Sequence, residues 1–178
     1  MDDIHFNRYG IDLTSLQSDE IEMVRQWRND PKIASLMLDQ TYITEAMQQA
    51  WFIRMRQSSN QCYMLARFRG EPIGVASLTA IDMQQRSCEP GMYIYPDHYR
   101  NNILPFCVAF ALNDLAFEQL GMQRLYGKIF DENTASVRFH EASGYIRYDG
   151  NEAGLSLYML EQEPYLAARA KIARFIRY

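Results

Sequence analysis

The chain has 178 residues, with 18 Lys and Arg against 22 Asp and Glu and a formal charge of −4. That length suits one domain with a real core, and the acidic balance argues against a general nucleic-acid binder. Apolar residues make up 48% and charged residues 22%, ordinary for a globular fold, which excludes wholesale disorder. No run approaches the roughly 20 apolar residues of a membrane span. Residues 1–4 lack the basic and apolar regions of a secretion signal. Cys62, Cys88 and Cys107 lie far apart and form no C-x-x-C or His/Cys cluster. Neither a metal site nor a disulfide framework is expected, and the thiols read as core residues of a cytoplasmic protein.

Residues 9–16 alternate apolar and polar (Ile11, Leu13 and Leu16 against Asp12 and Thr14), which predicts a short strand. Ser18, Asp19 and Glu20 make a helix start; Ile21, Val24 and Trp27 follow at helical spacing, and Asp30-Pro31 is the stop. Ile33, Met37 and Leu38 suggest a second short helix. Thr44 opens a third, with Met47, Trp51, Phe52 and Met55 as its apolar stripe.

The period then becomes two. Cys62, Met64, Ala66 and Phe68 share one strand face, residues 69–72 form a turn, and Ile73, Val75, Ser77, Thr79 and Ile81 continue as the partner strand. A third strand covers residues 88–95 and ends at Pro96. After a loop at 97–102, a helix over 103–120 is apolar all round (Phe106, Val108, Phe110, Leu112, Leu115, Phe117), so it is buried on more than one side. Residues 122–130 make a strand, 133–143 a helix closed by Gly144, and 145–148 and 155–160 two more strands. A basic helix at about 164–178 carries Arg169, Lys171, Arg174 and Arg177. These elements predict a single α+β domain over residues 1–178.

Leu125-Tyr126-Gly127-Lys128-Ile129, then Asn133, then Phe139-His140-Glu141-Ala142-Ser143-Gly144-Tyr145 form a strand–Asn–helix series. With Gly91-Met92-Tyr93-Ile94-Tyr95-Pro96 before it, the series resembles the GNAT (Gcn5-related) N-acetyltransferases over residues 9–160. Val24-Arg25-Gln26-Trp27-Arg28-Asn29 with Ile33, Met37 and Ile43-Thr44 is similar, more narrowly, to members acting on nucleotide-linked amino sugars of pseudaminic-acid-type pathways. Ribosomal-protein N-terminal acetyltransferases share parts of that pattern.

The resemblance implies a mixed, mostly antiparallel sheet with flanking helices, splayed between the family's fourth and fifth strands, here after Tyr95. It implies acetyl-CoA as acyl donor, with its pantetheine arm on the backbone of Met92, Tyr93 and Ile94 and its diphosphate at the start of the long helix. The family's R/Q-x-x-G-x-G/A loop is replaced by a glycine-free one. With Arg100 first, Ile103 and Pro105 stand at the glycine places; with Tyr99 first, Asn102 and Leu104 do, and Asn102 can adopt a left-handed backbone. Leu104, at the other glycine place, would crowd the phosphates and weaken binding.

By the same resemblance Glu89 is a base for the incoming amine and His140, at the usual place of a Tyr, an acid for the departing thiolate. Asn133 and Ser136 would touch the pantetheine. Arg25, Arg28 and Asn29 can share a helix face, and the narrower resemblance makes them holders of a sugar-nucleotide diphosphate. The expected function is acetyl transfer to a small-molecule acceptor, a nucleotide-linked amino sugar, with no nucleic-acid partner, no membrane span and room for a homodimer. A protein N-terminal or small-amine acetyltransferase and a non-catalytic binding module are the alternatives.

Overall fold

The computed structural model describes residues 3–152 and 154–177, without the side chains of 149–152. Met1 and Asp2, read above for a secretion signal, and the last residue of the basic tail lie outside the described residues. The strands are β1 (His5–Arg8), β2 (Ile11–Ser15), β3 (Cys62–Phe68), β4 (Glu71–Asp82), β5 (Ser87–Ile94), β6 (Arg124–Phe130), β7 (Ile146–Glu152) and β8 (Leu155–Glu161). The helices are α1 (Ile21–Asn29), α2 (Pro31–Ala34), α3 (Glu45–Gln57), α4 (Asp97–Arg100), α5 (Leu104–Asp114), α6 (Thr134–Ala142) and α7 (Gln162–Ala173). One sheet runs β1-β2-β3-β4-β5-β6-β8-β7, antiparallel at every step except β5–β6. A parallel pair needs a long crossover, and α4 and α5 supply it.

β5 and β6 pair only at Ser87–Arg124 and Cys88–Leu125. The Tyr95 N–H donates to Ile73 O, so odd-numbered residues here turn their backbone toward β4 and even-numbered ones toward β6. The next even residue is Pro90, which has no N–H to extend the ladder. The sheet therefore opens from Glu89 onward, and not after Tyr95 as expected.

Side chains of β5 alternate between two cores. Cys88, Ile94 and Met92 join α5 in the main core, while Tyr93 and Tyr95 pack with Val24 and Trp27 of α1. Trp27 stacks on Tyr95 at 5.1 Å.

Local corrections have local causes. The strand expected at residues 9–16 is β2, but Tyr9 and Gly10, with φ of 57° and 74°, are a turn that pairs it with β1, which the spacing did not predict. A tight two-residue turn with positive φ matches the twist of its strands. Of the stripe proposed for α3, Met55 is buried and Met47 is exposed; Gln48 is buried instead, donating to Ile21 O at 2.9 Å. The loop after Pro96 contains the one-turn α4. The long helix runs as α5 and then a π-helical turn, Leu115–Gln119, before Gly121 at φ 66°.

Asn113 and Asp114 interrupt the apolar surface of α5, yet are 3% and 0% exposed. Asp114 accepts from Arg8 Nη1 (2.8 Å), Tyr9 OH (2.7 Å), Tyr165 OH (2.6 Å) and Arg169 Nη1 (2.5 Å). The cluster ties the β1–β2 turn and the basic helix α7 to α5, and satisfies a charge that burial alone would not tolerate.

Candidate active site

The opening between β5 and β6 holds a cavity of about 290 Å³. Pro90, Gly91 and Met92 line one wall and Gly127, Lys128 and Ile129 the other. Pro105, Ala109, Leu112 and Asn113 close it from α5, and Ser136, Phe139, His140, Ser143 and Tyr145 from α6 and its C-terminal side. Phe106 packs on Phe139 at 4.5 Å and joins the two helices beside it.

Of the three strand residues expected to meet the donor, Met92 and Ile94 turn their N–H and C=O into the opening. Tyr93 does not: its backbone belongs to the ladder with Val75, and its carbonyl lies against Gly74. Its side chain goes to the α1 face, where burial raises the phenol pKa and the hydroxyl has no partner.

The loop before α5 needs no glycine. Among the described residues, none from 96 to 104 has positive φ. α4 makes the turn, and the Asn102 side chain accepts from Leu104 N (2.8 Å) while donating to His98 O (3.2 Å). Asn102 thus makes an Asx-type turn into α5 rather than standing in for a left-handed glycine. Leu104 is 1% exposed and sits in the main core, so it does not crowd the helix start. Pro105 has no N–H, which leaves those of Ile103 and Phe106 for an anion. Arg100 lies 3.5 Å from Asp97, and Tyr99 OH donates to Glu71 (2.7 Å).

His140 Nδ1 lies 2.8 Å from Ser136 O, a group that only accepts, so Nδ1 carries the proton and Nε2 of the neutral ring is bare. Burial lowers the ring pKa, only partly opposed by that hydrogen bond. An acid at Nε2 would have to be the imidazolium, the form burial disfavours. His140 is therefore placed at the cavity as expected, where burial works against the charged form that an acid role would use. Asn133 caps α6 by accepting at Oδ1 from Ser136 N (3.1 Å), with its Nδ2 uncommitted among the described residues.

Glu89, the first residue past the last β5–β6 pair, bonds Lys128 Nζ across the opening at 2.8 Å. Lys128 was overlooked in the sequence because a strand lysine looks like any exposed charge. Asn113 was overlooked too, although two adjacent polar residues in an all-apolar helix are a legible signal.

On the α1 face, Arg25 pairs with Glu22 (2.7 Å) and donates to Ile43 O (3.0 Å). Asn29 bonds Ile43 O and N, both at 2.8 Å, and Arg28 Nη2 donates to Asp39 O. Arg25 and Asn29 thus commit their polar atoms to Glu22 and Ile43, rather than offering them to the expected diphosphate. Arg28 keeps one: its Nη1 is buried and unpartnered beside Tyr93.

The sequence profile described as "Acetyltransferase (GNAT) domain" matches residues 11–146. The chain belongs to the GNAT acetyltransferase family. Acetyltransferase PseH of Campylobacter jejuni serotype O:2 is 29% identical over 138 residues, which is 75% of this chain and 82% of that protein. PseH of C. jejuni strain 81-176 is 27% identical over 139 residues, 76% of this chain and 83% of its own length. The structure of C. jejuni PseH with acetyl coenzyme A superposes with a TM-score of 0.68 at 22% identity, covering 86% of this chain and 99% of that one. Spermidine N-acetyltransferase from Vibrio cholerae with CoA and spermine gives 0.80 at 17% identity, with 89% and 99% covered. As a GNAT N-acetyltransferase the protein takes its acetyl group from acetyl-CoA, so the non-catalytic alternative falls away. The site fits that donor: a free strand edge at Met92 and Ile94, a cavity beside it and a helix start at its wide end. Among the described residues, no helix of this GNAT enzyme is long and apolar enough to cross a membrane.

Proposed function

We propose that this acetyltransferase acetylates the amino group of a nucleotide-linked amino sugar. The observation that carries the reading is the pair of orphaned polar atoms on the α1 face, Arg28 Nη1 and Tyr93 OH. A guanidinium with one buried nitrogen unpaired and no carboxylate paired to it among the described residues suits an anionic acceptor such as a sugar nucleotide diphosphate and repels a polycation. Lys32 lies on the same face, 4.0 Å from the Tyr95 ring. The similarity to PseH supports the same class of acceptor, and the fold shared with a spermidine enzyme does not compete with it. Tyr42 is 66% exposed on the segment that Arg25, Arg28 and Asn29 hold, open to stacking on a base.

Acetyl-CoA supplies an activated thioester. Met92 and Ile94 bind its arm through N–H and C=O, and the N–H groups of Ile103 and Phe106, with Arg100, take the diphosphate. Tyr99 and Asn102 shape that loop, and Asn133 Nδ2 and Ser136 border the arm. From Ile94 to Glu89 the strand spans roughly 17 Å at about 3.3 Å per residue. An arm entering at Ile94 covers about 16 Å over its thirteen bonds to sulfur, at about 1.2 Å per bond, which brings the acyl end level with Glu89. The amine nitrogen bonds the thioester carbonyl carbon as the C–S bond breaks; Glu89, oriented by Lys128, takes the proton that the amine sheds, and the CoA thiolate leaves through the open cavity to be protonated by water. Both substrates are cytoplasmic metabolites, and the three buried free cysteines suit that compartment.

The test is thiol release from acetyl-CoA with a nucleoside-diphosphate-linked amino sugar or with spermidine. The sugar nucleotide should react at least 100-fold more efficiently, and Arg28→Met should raise its KM with little change in kcat. A preference for spermidine, or an Arg28→Met variant with unchanged KM, refutes the assignment.

A further inference from the structure

The cavity contains a polar side chain that the fold does not use. Asn113 is 3% exposed and lines the cavity, and its amide has no hydrogen-bond partner among the described residues. The rest of that stripe of α5 is apolar, with Pro105, Ala109 and Leu112 at spacings of four and three residues. An amide that the fold leaves unpaired at the wall of a cavity is free to bond what fills the cavity. His140 Nε2, at the same cavity, is likewise without a partner.

We propose that Asn113 is the hydrogen-bonding partner of the distal amide of the pantetheine arm, the one nearer the sulfur. The inference rests on the donor site assigned above, with the diphosphate at the start of α5. Eight residues from Pro105 to Asn113 advance about 12 Å along the helix. At about 1.2 Å per bond, the nine bonds from phosphorus to the distal carbonyl carbon span about 11 Å, the five to the proximal one about 6 Å, and the thirteen to sulfur about 16 Å. The distal amide matches the position of Asn113 and the other groups do not. A primary amide offers both a donor and an acceptor, the complement of what another amide presents.

Calorimetry with three probes tests this: CoA, 4′-phosphopantetheine, and adenosine 3′,5′-bisphosphate, which lacks the arm. Asn113→Leu should weaken CoA and phosphopantetheine by the same factor, about tenfold, and leave adenosine 3′,5′-bisphosphate unchanged. Asn113→Ala, which cannot overfill the cavity, should show the same pattern, and neither variant should melt below the wild type without ligand by more than a few degrees. Equal weakening of all three probes, or of none, overturns the proposal. If the wild-type protein binds no CoA, the donor-site assignment fails first and the role of Asn113 with it.

Discussion

Asp114→Asn tests what holds the basic tail to the domain. Four donors converge on the two carboxylate oxygens: Arg8 and Tyr9 on Oδ2, Tyr165 and Arg169 on Oδ1, at 2.5 to 2.8 Å. An amide keeps one acceptor and turns an NH₂ group on two of those donors, and in either orientation one arginine faces it. Breaking a buried ion pair costs about 3–5 kcal/mol. Both arginines retain Glu118, at 2.8 and 3.2 Å, and Tyr165 OH retains Phe110 O at 3.0 Å, so the low end applies. A loss of about 3 kcal/mol lowers Tm by roughly 6–12 °C in a domain of this size. Urea denaturation and calorimetry should agree on that value. Glu118→Gln, at a half-exposed position, should cost less than about 1 kcal/mol. An Asp114→Asn variant within about 1 kcal/mol of the wild type refutes the account. The cluster also predicts an alkaline limit. Burial, and next the bond to Asp114, raise the Tyr9 pKa from 10.0 to about 12. Folding therefore favours the protonated phenol, and that stability is complete below pH 10 and lost as pH rises toward 12.

Three further outcomes concern the active site. His140→Ala should lower kcat by less than about tenfold and leave the alkaline limb in place; a loss of 10²–10⁴-fold, with the limb moved upward in His140→Tyr, would restore the acid role. Because burial lowers its folded-state pKa below the ordinary value, the contribution of His140 to stability is present above about pH 6.5 and lost as pH falls; His140→Gln should flatten the decline of Tm below that pH. Glu89→Gln should reduce kcat by about 10²–10⁴-fold with KM for acetyl-CoA nearly unchanged, and a variant with wild-type kcat would remove Glu89 from the reaction. In Gly74→Ala the new Cβ would overlap Tyr93 O and lie 3.1 Å from Ile94 Cα. Since β6 grips β5 at only two pairs, the strand should yield into the opening, costing about 1–3 kcal/mol and weakening CoA. Unchanged Tm and CoA affinity would show that the strands part more easily than that contact implies.

The sequence by itself determined the order and kind of most elements, because period-two and helical spacing are local properties. The Thr44 cap on Met47 N, the strand ending at Phe68 and the helix headed by Asn133 stand where their residues predict them. Family motifs located the strand edge at Met92 and Ile94, and brought His140 and Glu89 to the opening. The same residues even held the start of the splay, in a proline after Cys88, but its meaning depends on which way that residue's backbone faces. Tertiary structure alone decided facing and partnership. It turned Tyr93 from the cavity edge to the α1 face, turned the Nδ1–H of His140 to Ser136 O, and set Arg25 and Asn29 to holding a loop. It also brought Arg8, Tyr9, Tyr165 and Arg169, from both ends of the chain, onto one buried carboxylate. No spacing rule could supply these results, because protonation state and hydrogen-bond choice follow from which groups long-range packing leaves without water.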